Sequence, residues 1–268
     1  MRREGRLFRK FAPMKHLVDL RVVAAEQVGT RCTLLRLTND RAPLPPIAPG
    51  QFAQVRVDGN GHVFLRRPIS IHFVDRDRNE LWLLVQAVGE GTRTLCNLAA
   101  GAVLNCLLPL GHGFAQDIAP GQSILLCGGG IGAAPLLEYG HWLREHGVEP
   151  HFLLAARTAD DLVQTDCFAR YGQVLTCTDD GSAGHHGLIT QHPLLGQWEG
   201  RVAVCGPVPM MRAMAHICRE RNLPCEVSLE NRMACGLGAC LCCVEHTTRG
   251  NVCVCTEGPV FNINDLNW

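Results

Sequence analysis

The sequence predicts a mixed β and α/β fold: an antiparallel β-barrel, a doubly wound parallel α/β domain and a small C-terminal domain. Between residues 15 and 117, six short runs of β-forming residues are separated by Pro, Gly, Asn and Asp, at the spacing of a small barrel. From Gly121 onward, apolar strands alternate with helical segments, which is typical of a parallel sheet. After residue 225 the chain contains a dense group of cysteines and little predicted regular structure.

These changes along the chain predict four segments, and the composition excludes some classes of function. They are an N-terminal tail (1–15), the barrel (16–117), the α/β domain (118–225) and the C-terminal domain (226–268). The 25 basic and 25 acidic residues cancel, so no charge excess indicates a nucleic-acid partner. The basic tail lacks the apolar core of a secretion signal, and no apolar stretch is long enough to span a membrane.

The 15 cysteines are distributed unevenly. Six lie between Cys235 and Cys255, and the other nine are scattered, several of them in apolar surroundings, where Cys behaves as a small hydrophobic residue. Without a secretion signal, this distribution indicates a reducing cytoplasm and one metal site rather than a disulfide framework.

The metal site is predicted by the spacing of four of these cysteines. Cys235, Cys240 and Cys243 follow the pattern C-x4-C-x2-C, and Cys255 stands further along, as in the plant-type ligand set of a 2Fe–2S cluster. Such a cluster carries one electron at a time. Cys253 is a rival for the fourth position, and four thiolates can alternatively bind zinc.

A glycine-rich turn predicts a nucleotide site. Gly128–Gly132 follows an apolar strand and opens a helix, so its backbone can approach a pyrophosphate at the helix start. The pattern departs from G-x-G-x-x-G, which favours a variant nucleotide domain. The candidate contacts are Gly129, Gly130 and Gly132, and the alternative is a tight strand–helix turn with no ligand.

Three further motifs carry candidate chemistry. In Arg66-Arg67-Pro68-Ile69-Ser70, a cation can neutralise a flavin pyrophosphate and Ser70 can hydrogen-bond near flavin N5, although a barrel strand with a solvated Arg pair has the same pattern. Gly89–Thr92 can hold a phosphate or form a plain β-turn. Cys205, at the end of a predicted strand, can lie beside a nicotinamide or simply belong to the core.

The motifs also occur in a familiar order. PGQF (49–52), RRPIS (66–70), GEGT (89–92), GGGIGAAP (128–135) and CGPVPMM (205–211) together resemble the ferredoxin–NADP reductase superfamily, a flavin-binding barrel followed by a nicotinamide-binding α/β domain. TDDGSAGHHG (178–187), SLENRMACGLGACLCCVE (228–245) and VCTEGPVF (254–261) are similar to the electron-transfer subunit of class 1B dihydroorotate dehydrogenase. The resemblance extends from Leu17 to Phe261.

The resemblance implies FAD and one 2Fe–2S cluster as cofactors, with NAD as the nicotinamide. It also implies an FMN-containing catalytic partner, in a heterotetramer of two plus two that acts in pyrimidine biosynthesis. Ile69 is a departure, since the wider superfamily often has an aromatic residue there. The residues carried over for FAD are Arg67, Pro68, Ile69, Ser70, Leu84, Val85, Gln86, Gly91 and Thr92, and those for the cluster are Cys235, Cys240, Cys243 and Cys255.

These parts predict an order of electron transfer. Nicotinamide exchanges hydride and a cluster exchanges single electrons, so FAD, which does both, is expected between them. The chain would then not oxidise dihydroorotate alone. The alternatives are a related flavin subunit, of the sulfhydrogenase or transhydrogenase type, and a zinc-bearing interaction module.

Overall fold

The computed structural model describes residues 14–268, so the predicted tail of residues 1–15 falls almost entirely outside the described residues. The first part of the described chain forms six strands, which are β1 (His16–Val28), β2 (Cys32–Thr38), β3 (Phe52–Val55), β4 (Arg67–Asp75), β5 (Glu80–Gln86) and β6 (Val103–Leu110). Every neighbouring pair is antiparallel, and the strands close in the order β1-β2-β5-β4-β3-β6. The predicted barrel is confirmed.

Strand β3 faces two different cores. Ala53 and Val55 point into the barrel, where they pack among aliphatic side chains from the other strands. Phe52 packs into a second core, which contains Cys243 and Cys255 of the C-terminal region. Because side chains alternate along a strand, Gln54 shares the outer face with Phe52. β3 therefore joins the barrel to the cysteine-rich segment.

A short helix, α1 (Glu90–Cys96), follows β5 at the place where the sequence predicted a phosphate loop or a β-turn. The hydroxyl of Thr92 accepts the backbone N–H groups of Val88 and Gly89, both at 3.0 Å, and donates to the carbonyl of Gly89 at 3.1 Å. Two glycines beside the start of a seven-residue helix hide the helical signal, since Gly lowers helix propensity. The Thr92 side chain stabilises this helix start.

The second half contains a seven-stranded sheet and a separate hairpin. The strands are β7 (Ser123–Gly129), β8 (Glu149–Ala156), β9 (Gln173–Thr178), β10 (His185–His186), β11 (Arg201–Cys205), β12 (Cys225–Ser228), β13 (Val244–Thr247), β14 (Gly250–Cys253) and β15 (Val260–Asn262). The sheet has the order β10-β9-β8-β7-β11-β12-β15 and is parallel except for β15, while β13 and β14 form the hairpin. The chain winds outward in both directions from β7 and β11, which confirms the doubly wound domain and places its switch point there.

The helices of this half are α2 (Ala134–Glu145), α3 (Thr165–Ala169), α4 (Leu194–Gln197), α5 (Val208–Glu220) and α6 (Val254–Glu257). Residues 159–171 do not form one continuous helix, because Gln164 adopts φ +57° immediately before α3. Its side-chain oxygen contacts Nε2 of the buried His72 at 2.6 Å, which ties this turn to the barrel. None of the helices between residues 14 and 268 has the length and apolar character needed to cross a membrane.

The C-terminal region is continuous with both other parts. The boundary expected between residues 225 and 226 falls inside β12, and β15 returns to pair with β12 at the sheet edge. The backbone N–H of His112, just after the barrel, donates to the carbonyl of Gly258 at 2.6 Å. The cysteine-rich segment is therefore held between the barrel and the sheet.

Candidate functional site

The predicted flavin motif, Arg67–Ser70, forms the first four residues of β4. The guanidinium of Arg67 lies against Gly91 in α1, so close that a Cβ atom on residue 91 would stand 2.6 Å from Arg67 Nε. Arg67 Nη1 also donates to the carbonyl of Leu65 at 2.7 Å. The first N–H groups of a helix lack intrahelical acceptors, so this cation and the start of α1 can together bind a pyrophosphate.

The neighbouring Arg66 has a different role. It donates to the carbonyls of Gln54 and Asn105, at 3.2 and 2.9 Å, and to the Asn105 side chain. Asn105 in turn donates to Asp19 at 2.7 Å. Arg66 thus connects β3 with β6 and, through Asn105, with β1. Arg67 instead faces the predicted phosphate site.

The other motif residues divide between the two faces of the barrel. Pro68 and Ser70 lie opposite Gln54 and Phe52 of β3, on the outer face. Ile69 packs against the barrel core instead. Thr92 uses its hydroxyl to cap α1, so its backbone N–H is the group it can offer to a phosphate.

The predicted contacts on β5 also point in different directions. Leu84 is buried with Cys32 and Ala134, between the barrel and the glycine-rich turn. Val85 points into the barrel core, so any cofactor contact at that position would come from its backbone. Gln86 lines a cavity between the barrel and the sheet.

That cavity has a volume of about 500 Å³ and opens at the switch point of the sheet. The barrel contributes Arg31, Cys32 and Gln86 to its lining. The α/β domain contributes the glycine-rich turn and the start of α5, including the predicted Gly129, Gly130 and Gly132 together with Gly206, Pro207 and Met210. The cavity therefore brings the predicted nucleotide turn next to the end of β5.

Two of the turn glycines are required by close packing. A Cβ atom on Gly132 would stand 2.5 Å from the α-carbon of Gly206, and one on Gly129 would stand 2.5 Å from the sulfur of Met210. Gly130 differs, since it has φ +54° and open space in front of it. Side chains at 129 or 132 would push the start of α5 away, whereas Gly130 leaves backbone exposed to a ligand.

Cys205, the second predicted catalytic residue, is completely buried at the end of β11. Burial raises the pKa of its thiol well above the ordinary range. Gly206 and Pro207, the next two residues, line the cavity, while Cys205 lies behind them. Its contact with a nicotinamide stays a prediction.

Sequence reasoning did not single out the charged residues of the cavity. Glu230 lines it from the segment after β12, at the same sheet edge as the glycine-rich turn. Arg31 and Arg157 line the same cavity as Asp160, Asp161 and Asp179. Their position in the sequence could have identified those in the α/β domain, because residues just after parallel strands meet at the carboxyl edge of the sheet.

The predicted cluster ligands lie on a tight loop. Gly236, Gly238 and Leu241 have positive φ angles of 69°, 79° and 58°, which turn the chain back on itself. Backbone N–H groups inside the loop point at sulfur: Leu237 donates to Cys235 Sγ at 3.3 Å. Such donors stabilise thiolates, and the N–H of Leu237, together with hydrogen bonds from Cys240 and Ala239, lowers the pKa of Cys235 to about 6.

The structure favours Cys255 over Cys253 as the fourth ligand. Cys255 Sγ accepts the N–H of Gly238 at 3.2 Å, and the N–H of Cys255 points at Cys243 Sγ at 3.4 Å. The Cys253 thiol instead donates to the carbonyl of Gly238 at 3.7 Å. Cys255 Sγ is therefore placed as a hydrogen-bond acceptor, as a metal-bound thiolate is, whereas Cys253 Sγ is placed as a donor.

The arrangement of the thiols also tests which metal fits. Within residues 14–268, no three or more His, Cys, Asp or Glu side chains surround one point that could hold a single ion. Cys235 lies beside the thiol of Cys240, and Cys243 lies beside the thiols of both Cys253 and Cys255. A two-iron cluster takes two thiolates on each iron, and Cys235, Cys240, Cys243 and Cys255 have the C-x4-C-x2-C spacing with a distal fourth cysteine that supplies them.

Comparison with known proteins agrees with this geometry. Residues 230–267 match the family model described as the iron-sulfur cluster binding domain of dihydroorotate dehydrogenase B. A protein of Fusobacterium nucleatum named dihydroorotate dehydrogenase B (NAD(+)), electron transfer subunit, is 37% identical over 81% of this chain and 86% of its own length. The protein of that name from Lysinibacillus sphaericus is 37% identical over 90% of this chain and 95% of its own.

Solved structures give the same fold. The NADH-dependent reduced ferredoxin-NADP oxidoreductase superposes with a TM-score of 0.80 at 26% identity, over 93% of this chain and 90% of that one. The cytochrome b5 reductase domain of Ulva prolifera nitrate reductase has a TM-score of 0.64 at 18% identity, over 77% and 94%. With the matched cysteine segment and the identity to curated relatives over most of both chains, the chain belongs to the family of dihydroorotate dehydrogenase B electron transfer subunits.

Proposed function

We propose that this chain transfers electrons between an FMN-containing dihydroorotate dehydrogenase catalytic subunit and NAD, through a 2Fe–2S cluster and FAD, in pyrimidine biosynthesis. The observation that carries the proposal is the position of the cysteine loop. Gly236 of that loop packs directly on Gln54 of β3, the strand that pairs with the flavin motif on β4. The cavity with the nucleotide turn meets the same barrel at β2 and β5.

FAD bound there would supply hydride exchange with nicotinamide and single-electron exchange with the cluster. The residues of the chain would orient these groups. Arg67 and the start of α1 would neutralise the pyrophosphate, and Ser70 would lie at the flavin ring. The turn around Gly130 and the segment Gly206–Pro207, with Cys205 buried behind it, would form the nicotinamide side of the site.

The outer edge of the cysteine loop suits a partner surface. Leu237 and Leu241 are 47% and 65% exposed, and Cys240 between them is also exposed. Apolar side chains held at the surface beside a redox centre are typical of a docking site. We propose that the catalytic subunit binds here, in a two-plus-two heterotetramer. A cytoplasmic location is part of the same proposal, supported by 15 cysteines that form no disulfide among the described residues.

The test uses the purified complex with the catalytic subunit. Cys235→Ser should retain NADH-dependent dye reduction, which needs only FAD, and lose NAD reduction driven by dihydroorotate. The matched control is Cys167→Ser, a half-buried cysteine in α3 outside the loop, which should retain both activities. Unchanged dihydroorotate-driven activity in Cys235→Ser would contradict the proposed role of the loop.

The rival functions predict different results in the same preparation. A subunit of another NAD(P)H-linked reductase would reduce dye with NADH but would not copurify with a dihydroorotate-oxidising subunit. A zinc-bearing module would be colourless. The proposed function requires a yellow-brown protein whose absorption bleaches on reduction.

A further inference from the structure

The side-chain amide of Gln54 is buried and has no partner. Gln54 is 0% exposed, and neither Nε2 nor Oε1 makes a hydrogen bond among the described residues. Gln51, three residues earlier, is also buried, but its amide is satisfied by Ala48 N–H and by the Gly111 carbonyl, both at 2.8 Å. A buried polar group without a partner costs stability, so such a group indicates an atom that a bound ligand supplies.

The location of the amide indicates which ligand. Gln54 lies on the outer face of β3, opposite Pro68 of the flavin motif. A Cβ atom on Gly236 would stand 2.8 Å from Gln54 Cγ and 3.2 Å from Nε2, so the amide lies against the residue that follows Cys235. Of the two polar atoms, Nε2 is the one that closely faces the cysteine loop.

The loop itself shows the kind of contact that is missing. Three backbone N–H groups, those of Leu237, Gly238 and Cys255, already point at cysteine sulfurs. Gln54 Nε2 is a further N–H donor at the base of the same loop, on the side of the flavin motif, and none of the four thiols accepts from it. An acceptor contributed by the cluster would satisfy it.

We propose that Gln54 is a positioning residue whose Nε2 donates a hydrogen bond to a sulfur of the 2Fe–2S cluster and thereby raises the reduction potential of the cluster. This inference rests on the proposed function, because it requires the cluster to be bound. A donor aimed at cluster sulfur stabilises the extra negative charge of the reduced form, and such hydrogen bonds are among the factors that set cluster potentials. Gln54 would thus adjust the driving force for electron transfer between the cluster and FAD.

The experiment is a redox titration of the purified holoprotein, followed by the EPR signal of the reduced cluster. Gln54→Met keeps the unbranched shape and removes the donor, and Gln54→Leu removes it in a second way. At a fixed potential, both variants should lower the ratio of reduced to oxidised cluster roughly tenfold, which corresponds to about 59 mV for a one-electron couple. Gln27→Leu, at an exposed glutamine of β1, is the control and should titrate like the wild type.

A second measurement separates hydrogen bonding from packing. Pulsed EPR of wild-type protein labelled with 15N in glutamine side chains should detect nitrogen coupled to the reduced cluster, and the coupling should disappear in Gln54→Met. If a variant fails to load iron, the wild-type 15N signal alone decides the question. Wild-type potentials in loaded variants, or no 15N coupling in the wild type, would overturn the role of Gln54. A wild type without any reducible cluster signal would instead overturn the proposed function.

Discussion

The carboxylate of Glu138 on α2 accepts the backbone N–H of Val74 on β4, with 3.0 Å between Oε2 and N. This bond crosses from the α/β domain to the barrel, and the side chain of Glu138 is only 4% exposed. Arg76 and His141 lie further away, at 4.0 and 3.9 Å. Burial outweighs these favourable contacts and raises the pKa of Glu138 from 4.5 to about 7.

The raised pKa predicts a pH-dependent stability at the domain junction. The folded protein binds a proton on Glu138 that the unfolded chain releases above pH 4.5, so this contribution is complete below pH 4.5 and is lost as the pH rises through 7. Glu138→Gln keeps an acceptor for Val74 without the proton. The variant's free energy of unfolding minus that of the wild type should be about 2 kcal/mol larger at pH 8 than at pH 5.5, because only the wild type loses stability over this range.

Urea unfolding of both proteins at the two pH values measures this difference. Glu149→Gln is the control, since that side chain is 61% exposed, and it should show no such difference. An equal effect of Glu138→Gln at both pH values would contradict the assignment.

The contact between Arg67 and Gly91 predicts a non-additive effect on FAD binding. Arg67→Leu removes the cation at the pyrophosphate and should weaken FAD binding by about 2 kcal/mol, or roughly thirtyfold in Kd. Gly91→Ala should weaken it in the same direction, because the added methyl displaces the guanidinium. The double variant should bind no worse than Arg67→Leu alone, since the displaced group is then absent.

Titration of the apoprotein with FAD, followed by flavin fluorescence, gives the three dissociation constants. Arg78→Leu, at an arginine with 65% of its side chain exposed, should bind FAD like the wild type. Fully additive effects of the two changes would mean that Gly91 acts independently of Arg67.

The packing of Gly132 on Gly206 predicts that the nucleotide turn cannot tolerate even a methyl group. Gly132→Ala would place a Cβ atom 2.5 Å from backbone at the start of α5, and backbone cannot rotate away as a side chain can. Stability should fall by about 1–3 kcal/mol, and the KM for NADH should rise because the cavity wall moves. Gly196→Ala, on α4 with no atom near its Cβ position, is the matched control and should neither lower the thermal stability nor raise KM.

Sequence patterns predicted the barrel strands and the cysteine loop because both depend on local spacing. Alternation and turn residues define the strands, and the spacing of Cys235, Cys240 and Cys243 is itself the ligand pattern. Ser70 and Cys205 were predicted from the same kind of local motif, but their distance to a cofactor depends on how the domains meet.

The contacts between domains could not be predicted from sequence. Glu138 and Val74 are 64 residues apart, and His72 and Gln164 are 92 apart, so no local pattern connects them. In the sequence, Gln54 looks like any polar residue of a strand, because only folding brings Gly236 against it. Helix α1 was missed for a local reason, because its glycines conceal a start that the Thr92 hydroxyl stabilises.

The assignment of Cys255 over Cys253 as the fourth ligand predicts different outcomes for substitution of the two cysteines. Cys255 Sγ accepts the Gly238 N–H as a ligand sulfur would, so Cys255→Ser should lose most of the iron and the reduced EPR signal. Cys253→Ser should retain both, because that thiol acts as a donor to the Gly238 carbonyl. Iron content per chain and visible circular dichroism measure the result, with the exposed Cys242→Ser as the control. Retained iron in Cys255→Ser with loss in Cys253→Ser would reverse the assignment.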